Sequence, residues 1–130
     1  MSPQNITAKQ KKILLLEDEE TLGRIYTKHL EMAGFKVKWL KTTVETIETA
    51  KEFKADIILL DHSISGEEKT GLDIISDLKA ILPDAKIFML SNYSQFQMEK
   101  EVLKAGGTGY LVKIDIPPSL LADYVRKLFF

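Results

Sequence analysis

Two rhythms of apolar residues alternate along this chain. The first is short and unbroken: ILLL at residues 13–16, IILL at 57–60 and IFML at 87–90, each framed by polar residues. Runs of this kind predict strands buried on both faces. FKVKWL at residues 35–40 alternates instead, and YLVK at 110–113 supplies a fifth strand. The second rhythm has a helical period. Leu22, Ile25, Tyr26, Leu30 and Ala33 share a stripe closed by Gly34, and Val44, Ile47, Ala50 and Phe53 mark a second helix. Leu72, Ile75, Leu78 and Leu82 form a third helical face that ends near Pro83. Residues from about 95 to 105 read as a weakly amphipathic helix, loosely held by the core, and Gly106, Gly107 and Gly109 break it. Pro117 and Pro118 introduce a last helix, with Leu120, Leu121, Tyr124, Val125 and Leu128 expected to face inward.

Strand and helix thus alternate five times, with neither a repeat nor a linker. This pattern predicts an α/β, doubly wound, five-stranded parallel sheet with five helices covering both faces. Residues 1–11 form a polar lead-in, and residues 12–130 form one domain. A formal net charge of −1 offers no broad surface for nucleic acid or anionic membrane. The chain has no cysteine, which removes disulfides, thiolate metal sites and cysteine catalysis. No apolar run is long enough to span a membrane, and the cytoplasm is the expected compartment.

The candidate chemistry lies where the strands end. In a sheet of this kind, sites gather beyond the carboxyl ends of the strands, at the switch in strand order. The first strand delivers Glu17 and Asp18, the third Asp61, the fourth Ser91 and the fifth Lys113. The second ends near Leu40 and delivers nothing obvious, as suits an edge strand. Alone, each residue has a plain structural explanation. An acid after a strand forms turns, acids before a helix favour its N-terminus, and Ser91 or Lys113 is an ordinary polar strand end. Glu19 and Glu20 are assigned to the helix start, His29 to a helix boundary, His62 to the loop, and Tyr26 and Trp39 to packing. Taken together, three carboxylates repel one another and one lysine cannot neutralise them. Mg²⁺ would, since it favours a few carboxylates with carbonyl, water and phosphate oxygens. An aspartate beside such an ion can act as a nucleophile toward phosphorus.

At this point the sequence resembles the receiver domain of two-component response regulators. ILLLEDEE is similar to that family's first strand and acidic pair, and IILLD to its phosphoacceptor strand. FMLSNYS is similar to the strand bearing the switch hydroxyl, and GTGYLVK to the strand bearing the switch aromatic and the lysine. The resemblance covers residues 12–129. It implies the flavodoxin-like strand order 2-1-3-4-5 and a phosphoryl group accepted on Asp61 from a histidine kinase or a histidine phosphotransfer protein. It further implies Mg²⁺ held by Asp18, Asp61 and the backbone carbonyl of Ser63, with Glu17 assisting through water. Ser91 and Lys113 would contact the phosphoryl group. Tyr110 would change rotamer in concert with Ser91, altering a face built from the fourth helix, fifth strand and fifth helix. A downstream protein or a second copy of the chain would bind that face.

This sequence departs from the family pattern at three places. Ile64 and Ser65 stand where a Met-Pro pair is usual. Gly71 falls two residues late, so residues 63–70 form an enlarged loop, expected to be a mobile cover. Ile114 replaces the usual cis proline after Lys113, so the fifth loop holds a costly bond (about 2.5–4 kcal/mol) or places Lys113 differently. Competing readings are a pseudo-receiver that binds proteins without phosphorylation, a phosphatase with an aspartyl nucleophile, and a flavin-binding flavodoxin relative. The phosphatase would need a second aspartate where Ser63 stands. EDEE after the first strand would repel a flavin phosphate.

Overall fold

The computed structural model describes residues 10–62, 64, 66–92 and 96–129, with the side chain of Phe96 excepted. Five strands form one parallel sheet: β1 (Lys12–Leu16), β2 (Lys36–Leu40), β3 (Ile57–Asp61), β4 (Lys86–Ser91) and β5 (Gly109–Val112). Their order is β2-β1-β3-β4-β5, so the strand order switches between β1 and β3. The α-helices are α1 (Glu20–Met32), α2 (Thr43–Ala50), α3 (Ile75–Ile81), α4 (Phe96–Lys104) and α5 (Pro118–Lys127). Short 3₁₀ turns, Leu72–Ile74 and Lys113–Asp115, precede α3 and follow β5.

Side chains alternate across the sheet because successive strand residues point to opposite faces. Ile13, Leu15, Ile57, Leu59, Phe88 and Leu90 are buried against Tyr26 and Leu30 of α1 and Leu121, Ala122 and Val125 of α5. Leu14, Leu16, Ile58, Leu60, Ile87 and Met89 are buried against α2, α3 and α4. The unbroken apolar runs follow from this double burial. β2, at the edge, shows the alternating exposure that its sequence predicts.

Local chemistry sets the helix ends. Gly34, at φ 103°, takes the left-handed conformation that stops α1. Thr42 caps α2 by accepting a hydrogen bond from the Glu45 amide at 3.1 Å. Pro118 opens α5, where its missing N–H costs nothing.

Several helical residues lie elsewhere than the periodicity predicts. Ile25, Val44, Leu120 and Tyr124 are exposed, Val44 by 64%. In α2 the buried residues are Thr43, Thr46 and Ala50, with Ile47 packed half-buried on the same core, and Val44 faces outward. In α5, Leu121, Ala122 and Val125 face the sheet, while the Tyr124 ring meets Phe88 edge-on at 5.8 Å. Helix α4 is amphipathic after all: Met98 and Val102, with Ala105 just beyond its end, pack on the core, and Val102 is fully buried. Among the described residues no peptide bond is cis, and none of the described helices is long and apolar enough to cross a membrane.

These placements separate core from surface sharply. Ile58→Ala is expected to lower unfolding free energy by about 2–5 kcal/mol, whereas Val44→Ala should change it by less than about 0.5 kcal/mol, both measured by urea denaturation.

Candidate functional site

Glu17, Asp61 and Lys113 have the sheet parity of the α1/α5 face, following Leu15, Leu59 and Leu111 along their strands. Their side chains meet at the carboxyl edge. The Lys113 Nζ donates to Glu17 Oε1 at 2.9 Å and lies 3.2 Å from Asp61 Oδ1. All three side chains are nearly withdrawn from water, Glu17 most completely. The remaining Glu17 oxygen accepts the Glu19 amide at 3.2 Å. Asp18 stands half-buried at the rim, and oxygens of Glu17, Asp18 and Asp61 lie within 4.8 Å of one another. Glu17, Asp18, Asp61 and Lys113 thus form one spatial cluster.

Lys113 reaches this cluster without a cis peptide after it. The 3₁₀ turn Lys113–Asp115 directs the lysine inward and leaves Ile114 83% exposed. Ser91 is buried at the tip of β4, with the parity of Ile87 and Met89, on the opposite face of the sheet from Asp61. Tyr110 is paired with Met89 across the ladder and packs half-buried on the same α4 side. The Ser63 carbonyl lies outside the described residues, as do residues 93–95 between Ser91 and α4.

The electrostatics follow from burial. Desolvation, then the charge of Glu17, pushes the Asp61 carboxyl up from 3.8 to about 7, and Lys113 only partly opposes this. Burial by itself would depress the Lys113 ammonium, but Asp61 and Glu17 outweigh it and raise the group above its usual range. Tyr26, read from sequence as packing, is buried against this same cluster. Its phenol is raised mainly by desolvation, with the Lys113 charge opposing and the Glu17 and Asp61 charges adding to it. Oxygen donors held this close, with more negative charge than one ammonium can balance, fit a hard divalent cation.

The enlarged loop is anchored more firmly than a free cover. Ile64 is buried in the α2–α4 core. The Glu67 carboxylate accepts the Thr43 hydroxyl at 2.8 Å and the Thr43 amide at 3.2 Å, at the N-terminus of α2. Nothing marked Glu67 out among the neighbouring acids in the sequence. Trp39 was also missed: its indole Nε1 donates to the Glu17 carbonyl at 2.8 Å, so β2 does contribute to the site.

Comparison with known proteins agrees with this geometry. The profile of the response regulator receiver domain matches residues 13–126. The chain is 31% identical to the chemotaxis protein CheY of Thermotoga maritima over 91% of its own length and 97% of that protein. It covers only 50% of the transcriptional regulatory protein MalR of Bacillus subtilis, at 28% identity. Among solved structures, CheY4 of Vibrio cholerae superposes with a TM-score of 0.83 at 21% identity, covering 93% of this chain and all of that one. A Burkholderia pseudomallei response regulator, solved with a phosphorylated aspartic acid, calcium ion and citrate, gives 0.78 at 26% identity, covering 92% of this chain and 72% of that one. The chain belongs to the response regulator receiver family, the signalling modules of two-component systems.

Two outcomes test the site. In the metal-free fold Asp61 keeps its proton to about pH 7, whereas the unfolded chain releases it near 3.8. The folded state binds the extra proton between those values, so this contribution is full at low pH and lost as pH rises through 7. With chelator present, wild type should therefore lose melting temperature relative to Asp61→Asn between about pH 5 and 8. Glu67→Ala should lower stability by about 1–2 kcal/mol in urea melts, since it removes a helix-end carboxylate that accepts from Thr43.

Proposed function

We propose that Asp61 is the phosphoacceptor of a two-component switch, within a receiver unit spanning residues 12–130 in the cytoplasm. The observation that carries this reading is the convergence of Lys113 on Asp61 and Glu17, with Asp18 within ligand reach, at the end of a fully buried strand. The donor is a phosphohistidine of a histidine kinase or phosphotransfer protein. An Asp61 carboxylate oxygen attacks phosphorus in line, the histidine nitrogen–phosphorus bond breaks, and the imidazole leaves with that electron pair. Acetyl phosphate serves as a small-molecule donor for the same step, with the chain itself supplying the site.

Attack requires the ionised carboxylate, which burial and Glu17 disfavour. Lys113 opposes them from 3.2 Å and remains placed to balance an oxygen of the transferred group. Asp18, Asp61 and the Ser63 carbonyl would hold Mg²⁺, with Glu17 acting through water, and the bound ion would supply charge neutralisation to the carboxylates and phosphoryl oxygens. Glu17 suits the indirect role because Lys113 and the Glu19 amide already engage both its oxygens. Precedent for a phosphorylated aspartate with a divalent ion comes from the Burkholderia pseudomallei protein.

The signal then crosses the sheet. The Ser91 hydroxyl donates to the new phosphoryl group, and its inward movement leaves room on the α4 side for Tyr110 to turn. A displacement of helix α4, which packs on that side through Met98 and Val102, would then follow. The α4–β5–α5 region carries the exposed Leu103, Leu120 and Tyr124, which suit a downstream protein or a second copy of the chain.

Intact-mass measurement after incubation with Mg²⁺ and acetyl phosphate tests the reaction. Wild type should gain one labile phosphate, Asp61→Asn none, and Ser91→Ala should still be labelled while losing the amide shifts in α4 and β5. Unlabelled wild type that still captures a partner through the α4–β5–α5 face would identify a phosphorylation-independent module instead. Asp18→Ala should abolish the Mg²⁺-induced rise in melting temperature, whereas Glu20→Ala should leave it nearly intact, because Glu20 is engaged with Lys41 and Arg24.

A further inference from the structure

We infer that Trp39 is a positioning residue for the metal-binding acids, an assignment that rests on the metal reading above. The β1–β2 ladder ends with Leu16 opposite Leu40, after which the Glu17 amide donates to the Leu40 carbonyl at 3.0 Å. The Glu17 carbonyl lies beyond the last paired residues, where β2 turns away. The Trp39 indole N–H takes up that acceptor at 2.8 Å and ties the peptide joining Glu17 to Asp18 to the second strand. Asp18 begins at that peptide, so its orientation sets where the Asp18 carboxylate emerges relative to Asp61.

The indole is itself held from several sides. Gly23 of α1 leaves the room it occupies, and a Cβ at that position would overlap the ring. The Lys41 ammonium lies 5.2 Å from the ring centroid and pairs with Glu20 at 2.6 Å, which links the ring to the first turn of α1. The acidic turn is thereby gripped at both ends of Glu17. Trp39 fixes its backbone, while Lys113 and the Glu19 amide fix its carboxylate. Trp39 has no charge to offer an ion and is assigned no contact with the reacting atoms. Its effect on binding passes through the peptide it holds.

Trp39→Phe keeps an aromatic ring over Gly23 and removes only the N–H. In the metal-free protein this change should accelerate amide exchange at Asp18 and Glu19 selectively, leaving core amides such as Leu59 unchanged. By calorimetric titration the Mg²⁺ dissociation constant should rise about tenfold, as for other groups that orient ligands. Gly23→Ala, which displaces the ring, should weaken Mg²⁺ binding in the same direction. Unchanged exchange at Asp18 and Glu19 in Trp39→Phe, with unchanged Mg²⁺ affinity, would reduce Trp39 to packing. Wild type that binds no Mg²⁺ would overturn the metal reading, and the exchange comparison would still decide the role of Trp39. The chain has one tryptophan, so its indole N–H resonance can also be followed in wild type without mutation. Protection from exchange is expected, and free exchange would overturn the assignment.

Discussion

Two buried carboxylates, Glu17 and Asp61, share one ammonium, Lys113, at the edge of the sheet, and Asp18 adds a third acid at the rim. Charge this concentrated and this dry is unstable as it stands. The fold answers by retaining a proton on Asp61 to about pH 7, by sharing the lysine, and by directing the Glu19 amide onto Glu17. Each device offsets part of the repulsion.

The residues gathered at this edge belong to two different faces of the sheet. Asp61, Glu17 and Lys113 belong to the α1/α5 side, whereas Ser91 and Tyr110 share the parity of the residues beneath α4. Neighbouring strands bring the two sets together at one edge while their side chains enter different cores. Ser91 ends β4, the strand paired with the one that carries Asp61, and its parity is that of the residues packed beneath α4.

The departures from the family pattern preserve this arrangement by other means. Ile114 replaces the usual proline, yet a trans bond and a 3₁₀ turn still carry Lys113 to its two acids. The longer loop after Asp61 is tethered by Ile64 in the core and by Glu67 on α2. Lysine placement and loop anchorage are thus properties of the assembled edge rather than of single residues.

The strands were legible in the sequence because a parallel sheet covered on both faces demands uninterrupted apolar runs, and ILLL, IILL and IFML have few other uses. Their terminal residues marked the candidate cluster for the same reason: polar side chains at the ends of such runs must lie at the sheet edge. Helix faces were less legible. Thr43 and Thr46 are buried in α2 while Val44 is exposed, and Tyr124 and Leu120 lie further out than their period suggested, because packing against a twisted sheet selects the face actually buried. The Trp39–Glu17 and Glu67–Thr43 hydrogen bonds join residues 22 and 24 positions apart. No local pattern encodes such pairs; only the crossing of strands and loops at the carboxyl edge brings the donors to their acceptors.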